Sequence, residues 1–217
     1  AGEIGHRAEN LLKAHSWQIN SDLKSAQSIA EELAVAIESL KPATEDEVKA
    51  LIKRTLEANE NIYGSAIAFE PGDFLPGRFL VASYYYRGKN GPVFVDIGSP
   101  DYSYAKWDWF SVPRNAGKGS WGSPYMDTGA GNISMVTFSQ PFYKDGKFWG
   151  IATIDISLDN LTQEIEKIKI GEDGFAFLLG AKGTLLSTKI QNPDFKKTIF
   201  DIATEKQDEN VKELGLR

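Results

Sequence analysis

The 217-residue sequence contains no cysteine, only two histidines, and no apolar run of about 18 residues. Without thiols there are no disulfides, zinc–thiolate sites, iron–sulfur clusters or cysteine nucleophiles. His6 and His15 lie nine positions apart in one helical stretch, so they point to roughly opposite faces and form neither a metal cluster nor a base beside a serine. No segment is long and apolar enough to span a membrane as a helix. Basic residues are outnumbered, 24 Lys and Arg against 30 Asp and Glu, for a net charge of −6. Nucleic acid wants a basic face, and anionic lipid headgroups repel an acidic one. The glycine-rich pieces GKGSWG (117–122) and GAG (129–131) fit neither GxxxxGK[ST] nor a strand-to-helix GxGxxG. The run from Asp127 to Asn132 lacks the acid spacing of an EF-hand. Asp127-Thr128-Gly129 matches the aspartic-protease triplet once, whereas that chemistry needs two carboxylates sharing a proton.

A hydrophobic share of 41% with 12% aromatics is enough to build a folded core. The chain opens at Ala1-Gly2-Glu3 without the charged and apolar regions of a signal peptide, already inside a helical pattern. This start is expected of a piece excised from a longer protein. Apolar residues then recur at three- and four-residue steps from Ile4 to Leu40, uninterrupted by Gly or Pro between His6 and Lys41. The pattern predicts one helix of about 50 Å, ended by Pro42. Such a helix is either the arm of a bundle or a stalk running toward a membrane.

Thr44 and Glu47 form a capping box for a second helix reaching about Asn59. Beyond it the period changes to two. Strands are predicted at Ile62–Glu70, Phe79–Arg87 and Pro92–Ile97, with a short helix at Trp107–Pro113. Ile133–Tyr143 and Lys147–Ile156 flank Lys144-Asp145-Gly146, a strong hairpin signal. A helix over Leu158–Ile170 follows, then strands at Phe175–Leu179 and Thr184–Ser187, then a polar helix over Asp194–Leu214. Two strands and a helix do not make an independently stable sheet, so the tail either docks on the first module or, as is expected, is part of an incomplete second one.

The stretch from Asp101 to Asp155 concentrates Trp107, Trp109, Trp121 and Tyr125 with the carboxylates Asp108, Asp127 and Asp155. Aromatic walls with a few acids suit a small cationic or zwitterionic ligand. Nothing there resembles a nucleophile with its base, so a binding module is expected and an enzyme is not. In the strand pattern GIATIDISL, Ile151, Thr153, Asp155 and Ser157 share one face. Asp155 therefore either faces solvent or meets a positive partner, since burying it unpaired is costly. At i and i+2 of the predicted short helix, Trp107 and Trp109 point to roughly opposite sides, so one lines a pocket and the other fills core. Pro124 stiffens the approach to Tyr125. Asp127 is either a ligand group or the cap of its own loop. Tyr84 and Tyr86 share a strand face that is either pocket floor or solvent-exposed, and Thr137 is a further candidate.

The runs KWDWFSVP (106–113), WGSPYMDTGAG (121–131), MVTFSQPFY (135–143) and GIATIDISLDNL (150–161) occur in this order. The segment GEDGFAFLLGAKGTLLS (171–187) follows them. Together they resemble the double Cache (PDC, PAS-like) extracytoplasmic sensor domains of bacterial and archaeal signalling receptors. The resemblance implies an α+β fold: a long N-terminal helix, a PAS-like antiparallel sheet of about five strands, and a partial second, smaller Cache module. It divides the chain into 1–60 (stalk helix and second helix), 61–158 (membrane-distal ligand-binding module) and 159–217 (linking helix and incomplete membrane-proximal module). In the amino-acid-binding branch it places Tyr102, Trp109, Tyr125, Asp127 and Asp155 at ligand positions. The arginine that clamps the ligand carboxylate falls at Trp107, leaving Lys106 as the nearby cation. The resemblance implies a periplasmic or cell-surface part of a membrane-anchored receptor, homodimeric through the N-terminal helix, without catalytic residues, metal or cofactor. Its partner is a small amino acid or amine. A small-carboxylate sensor and a ligand-free dimerisation module are the rival readings.

Overall fold

The apolar run at the N-terminus folds as one helix, α1 (Gly2–Ser39), of 38 residues and about 57 Å. The computed structural model describes residues 2–40, 44–128, 130–168, 176–180, 183–187, 195 and 197–205. Helix α2 (Glu45–Ala58) starts at the expected capping box. The Glu47 amide donates to the Thr44 hydroxyl (3.3 Å), and the Thr44 amide donates to the Glu47 carboxylate (2.8 Å). Its buried stripe is Val48, Ile52 and Leu56, one helical turn apart, with Leu51 and Thr55 only partly buried. The Arg87 guanidinium closes its far end by donating to the carbonyls of Leu56 (2.8 Å), Asn59 (2.9 Å) and Ile62 (3.2 Å). Carbonyls at a helix end lack intrahelical partners, and a cation there also meets the negative end of the helix dipole.

The chain divides into two compact units, Ser21–Ser157 and a second made of Ala1–Asn20 with Leu158–Arg217. The first is built on strands β1 (Gly64–Phe69), β2 (Ala82–Gly88), β3 (Gly91–Asp96), β4 (Ser120–Trp121), β5 (Tyr125–Met126), β6 (Ser134–Lys144) and β7 (Lys147–Ser157). They form one antiparallel sheet in the order β3-β2-β1-β7-β6-β4, with β5 also pairing with β6. Five strands are long, as expected, and two short ones extend the β6 edge. The β6–β7 hairpin turns at Asp145 (φ 52°) and Gly146 (φ 78°), the pair of positive dihedrals that matches the twist of the flanking strands.

Alternation along the strands gives the sheet two unlike faces. On one, Leu33, Ala34 and Ile37 of α1 and Val48 and Ile52 of α2 pack on Ile67, Phe69, Phe142, Trp149 and Ala152. On the other, a 3-10 turn (Tyr104–Lys106) and helix α3 (Asp108–Ala116) cover one end. There Tyr104 and Phe110 pack against Ala68, Ala82 and Ile151. The Tyr104 hydroxyl ties this cover to the strands, donating to the Phe69 carbonyl (2.7 Å) and accepting from the Val81 amide (3.2 Å). The rest of that face is left for a cavity.

In the second unit, helix α4 (Leu158–Glu166) buries Leu158, Leu161 and Ile165. Strands β8 (Leu178–Leu179) and β9 (Leu185–Ser187) pair antiparallel, and helix α5 (Ile199–Glu205) follows. The Thr198 hydroxyl accepts from the Asp201 amide, and Asp201 in turn accepts from the Thr198 amide, a reciprocal cap of α5. The helix expected from Asp194 begins only at Ile199, with Phe195, Lys197 and Thr198 non-helical, and the strand expected from Phe175 is confined to Leu178–Leu179, with Ala176 and Phe177 outside it; Phe175 and residues 206–214 lie outside the described residues.

Candidate functional site

Asp155 sits near the C-terminal end of β7, between Gly64 on β1 and Thr137 on β6. It is 2% exposed and no basic side chain lines the space above it, so it neither faces solvent nor meets the positive partner expected from the sequence. Thr137 Oγ1 donates to Asp155 Oδ1 at 2.7 Å. With that proton committed, the Tyr125 hydroxyl, 3.0 Å from Thr137 Oγ1, is the donor in their contact. The relay Tyr125 to Thr137 to Asp155 fixes the carboxylate through one acceptor oxygen. Burial nevertheless pushes the Asp155 carboxyl up to about 6, against the opposing pull of Thr137 and Tyr84, and Asp127 adds to the rise. Burial and the charge of Asp155 drive the Tyr84 and Tyr125 phenols upward, so both keep their protons.

Tyr84 reaches this carboxylate from β2 by leaning its ring across β1. A methyl group on Gly64 would come within 2.3 Å of the Tyr84 hydroxyl, so the glycine is what lets the ring pass. Tyr84 is 5% exposed. Its hydroxyl interacts with Asp155 strongly enough to lower the carboxyl's proton affinity, although the approach falls outside normal hydrogen-bond geometry.

These groups floor a cavity of about 180 Å³. Trp109 enters its wall from α3, and its indole Nε1 donates to the Tyr102 hydroxyl (3.2 Å), which is also at the wall. Asp127 lines the cavity as well, and its Oδ2 accepts from the Gly131 amide (2.9 Å) while its own amide donates to the Ile133 carbonyl. Loop cap and cavity wall, alternatives in the sequence, are thus one arrangement.

Tyr84, Tyr102, Trp109, Tyr125, Asp127, Thr137 and Asp155 are brought together around one space. Lys106, Trp107 and Tyr86 are not. Lys106 is exposed and lies outside the cavity lining. Trp107, 51% exposed, caps the start of α3 and stacks on the outer side of Tyr102 (5.6 Å, 18°), donating to the Tyr102 carbonyl (2.9 Å). Tyr86 turns toward Tyr63, ring centroids 5.9 Å apart. Sequence reasoning missed the wall formed by Val95, Asp96, Ile97 and Ser99, where β3 runs into the loop that follows. Register alone connects it to the site, since Val95 faces Tyr84. Asp96 is held by Arg78, whose other contact is Glu45. Three carboxylates and no Lys, Arg or His line the cavity. Among the described residues no group of three potential ligands gathers to hold a metal ion.

Residues 48–163, just over half of the chain, match the family described as methyl-accepting chemotaxis protein-like, first PDC sensor domain. The methyl-accepting chemotaxis protein PscA of Pseudomonas syringae pv. tomato is 29% identical over 121 residues, covering 54% of this chain and 18% of that protein. The chain therefore spans about a fifth of the length of the curated relatives it matches. Among solved structures, the extracellular domain assigned to a histidine kinase, soHK1S-Z6, superposes with a TM-score of 0.72 at 28% identity, over 97% of this chain and 82% of that one. The ligand-binding domain of the amino acid chemoreceptor PctC from Pseudomonas aeruginosa PAO1, solved with GABA, shares the fold. Its TM-score is 0.65 at 19% identity, over 88% of this chain and 77% of that one. The family is one of non-catalytic, extracytoplasmic input domains in signal transduction, and the long helix, the antiparallel sheet and the match over 48–163 show that this chain belongs to it as a PDC sensor domain.

Proposed function

We propose that the cavity over β7 binds a small amino acid or amine non-covalently, and that the chain is the ligand-sensing part of a membrane-anchored chemoreceptor or histidine kinase. The observation that carries this reading is the ionisable Asp155, buried at the floor of an aromatic-walled space that contains no basic side chain. A carboxylate held there without a counter-charge is costly until a cation arrives. A volume of about 180 Å³ suits a ligand of roughly ten non-hydrogen atoms or fewer. The bound amino acid in the PctC domain is a ligand of this kind. Binding would draw the Trp109 and Asp127 segments inward and shift α1 within a homodimer, a displacement that needs only unequal affinity for two states. The small-carboxylate reading loses support because Lys106, the cation it relies on, stands outside the cavity. A ligand-free dimerisation module would have this space filled by side chains.

A thermal-shift screen of amino acids, amines, betaines and short carboxylates on the wild type and on Asp155→Ala tests this. A ligand at 100 times its dissociation constant adds about 2.7 kcal/mol, several degrees of melting temperature. A shift seen in the wild type and lost in Asp155→Ala is the expected result. Shifts from acetate- or lactate-type acids alone would assign the site to carboxylates instead.

A further inference from the structure

We propose that Arg78 is a positioning residue of the cavity, and that it carries displacement between the cavity wall at Val95–Ser99 and the first turn of α2. The proposal rests on the cavity being the ligand site, as argued above, and names how its state reaches the helices. Two independent features carry it.

The first is the reach of one guanidinium. Arg78 lies in the loop between β1 and β2. Its Nη1 donates to both carboxylate oxygens of Glu45 (3.2 and 3.1 Å), the residue that opens α2, and its Nη2 donates to Asp96 Oδ2 at the end of β3. The donors of a guanidinium are fixed in one plane, so Arg78 holds its two acceptors at a set angle. Lys49, one turn further along α2, closes the arrangement. Its Nζ lies 2.8 Å from Glu45 Oε1 and 4.8 Å from the centre of the Phe94 ring on β3. Ion pairs at the surface contribute little to stability. What this set fixes is where β3 stands relative to α2.

The second is what Asp96 holds on the cavity side. Alternation along the strand puts Val95 and Ile97 toward the cavity, and Asp96 with Phe94 toward α2. Asp96 Oδ1 accepts from the Gly98 amide (2.9 Å). A Cβ on Gly98 would meet the Ala82 amide and the Leu80 carbonyl at 2.9 Å, so this turn lies tight against the start of β2. The chain then reaches Ser99, whose hydroxyl accepts from the Tyr102 amide (3.3 Å), and the Tyr102 hydroxyl accepts from Trp109 (3.2 Å). An unbroken run of contacts therefore joins Glu45 of α2 to Trp109 of the cavity wall, through Arg78, Asp96 and Tyr102. Drawing Trp109 inward pulls on Asp96 and, through the fork, on α2, which packs with α1 over the same sheet.

The test uses the full chain and follows hydrogen exchange of single amides by NMR, first without ligand. The reporters are the Gly98 and Tyr102 amides on the cavity side and the Glu47 amide, held by the Thr44 hydroxyl, on the helix side. Coupling between two sites is reciprocal, so each side must respond to a change made on the other. Glu45→Gln touches neither cavity-side amide, yet it is expected to speed exchange at both by about two- to fivefold. Asp96→Asn is expected to do the same at Glu47. In an Arg78→Ala background both cross-effects should vanish, and Arg78→Lys, which has no fork, should not restore them. Glu57→Gln, on the same helix but paired only with Lys53, should move none of the reporters. Exchange that changes only on the side of each substitution would overturn the proposal. The second stage adds propylamine as the probe. Its binding is expected to slow exchange at Gly98, Tyr102 and Glu47 in the wild type, and at Gly98 and Tyr102 alone in Arg78→Ala. An equal response of Glu47 in both proteins would overturn the role given to Arg78. Cross-effects without ligand, combined with no binding of propylamine or of any compound in the thermal-shift screen, would support the coupling and overturn the ligand reading.

Discussion

The two faces of the sheet in the Ser21–Ser157 unit are made of the same strands and do opposite things. On the helix-covered face the space is filled. The Phe69 ring stacks on Phe74 at 3.7 Å and meets Trp149 and Phe142 edge-on at 5.1 and 5.5 Å, and Ile37, Ile52 and Ile67 are fully buried around them. On the cavity face the middle of the sheet carries Asp155, Thr137 and Thr153, all buried, beneath an open volume. Large apolar side chains contribute roughly 1.5–3 kcal/mol each when buried, whereas an unpaired carboxylate costs free energy in the same place. The filled face therefore stabilises a sheet whose other face carries a buried carboxylate at a cost.

The largest expected effect falls on the filled face. Phe142→Ala removes a ring that is fully buried between Phe69 and Trp149 and should cost about 3–5 kcal/mol in urea unfolding. Selectivity among ligands should be unchanged, since Phe142 does not line the cavity. A change of ligand preference would show that the two faces are not separable.

Next in size is a substitution of opposite sign. The fold raises the Asp155 carboxyl from 3.8 to about 6, so the native state holds this proton more tightly than the unfolded chain does. The resulting contribution to stability is complete below about pH 4 and is lost as pH rises through 6. Asp155→Asn keeps an acceptor for Thr137 and removes the charge. At pH 7 it should stabilise the ligand-free protein by an amount on the order of 3 kcal/mol at most, and near pH 4 by nothing. Paired denaturant titrations at the two pH values measure this difference. A variant less stable than the wild type at pH 7 would mean that the carboxylate is structural.

A smaller effect follows from the same group. An alkylammonium ligand, like a Lys side chain, keeps its proton well above neutrality, so Asp155 controls the acid limb of its binding. The ionised fraction of a group titrating near 6 falls about tenfold between pH 7 and pH 5, and apparent affinity for propylamine should fall by the same factor. Affinity that is flat across this range would remove Asp155 from direct contact with the ammonium.

The filled face was far more legible in the sequence than the hollow one. Helix α1, the Thr44–Glu47 cap and the hairpin at Asp145-Gly146 are set by local rules of period, capping and turn chemistry, and they appear where those rules place them. The polar face of β7 was also readable, because alternation by twos fixes which residues accompany Asp155. What the sequence left open depends on register between distant segments. Tyr84 meets Asp155 because β2 and β7 both pair with β1, and because Gly64 leaves room for the ring to cross. No local pattern distinguishes that outcome from Tyr86, which shares the same strand face. The wall at Val95 to Ser99 was invisible for the same reason.

Trp107 and Trp109 give the smallest and most discriminating comparison. Spacing required them to part but did not say which would enter. A 3-10 turn followed directly by α3 sends Trp109 inward, toward Tyr104 and the Tyr102 hydroxyl, and leaves Trp107 at the helix start. From there Trp107 meets Tyr102 of the cavity wall, by stacking and one hydrogen bond to its carbonyl. Trp107→Ala should weaken propylamine binding by roughly two- to threefold, the size of an exposed aromatic contact. Stability should change by about 0.5 kcal/mol or less, because half of the ring is already in solvent. A loss of tenfold or more would place the indole over the ligand in the bound state, and the ligand-free arrangement of the cavity wall would then differ from the closed one at this residue.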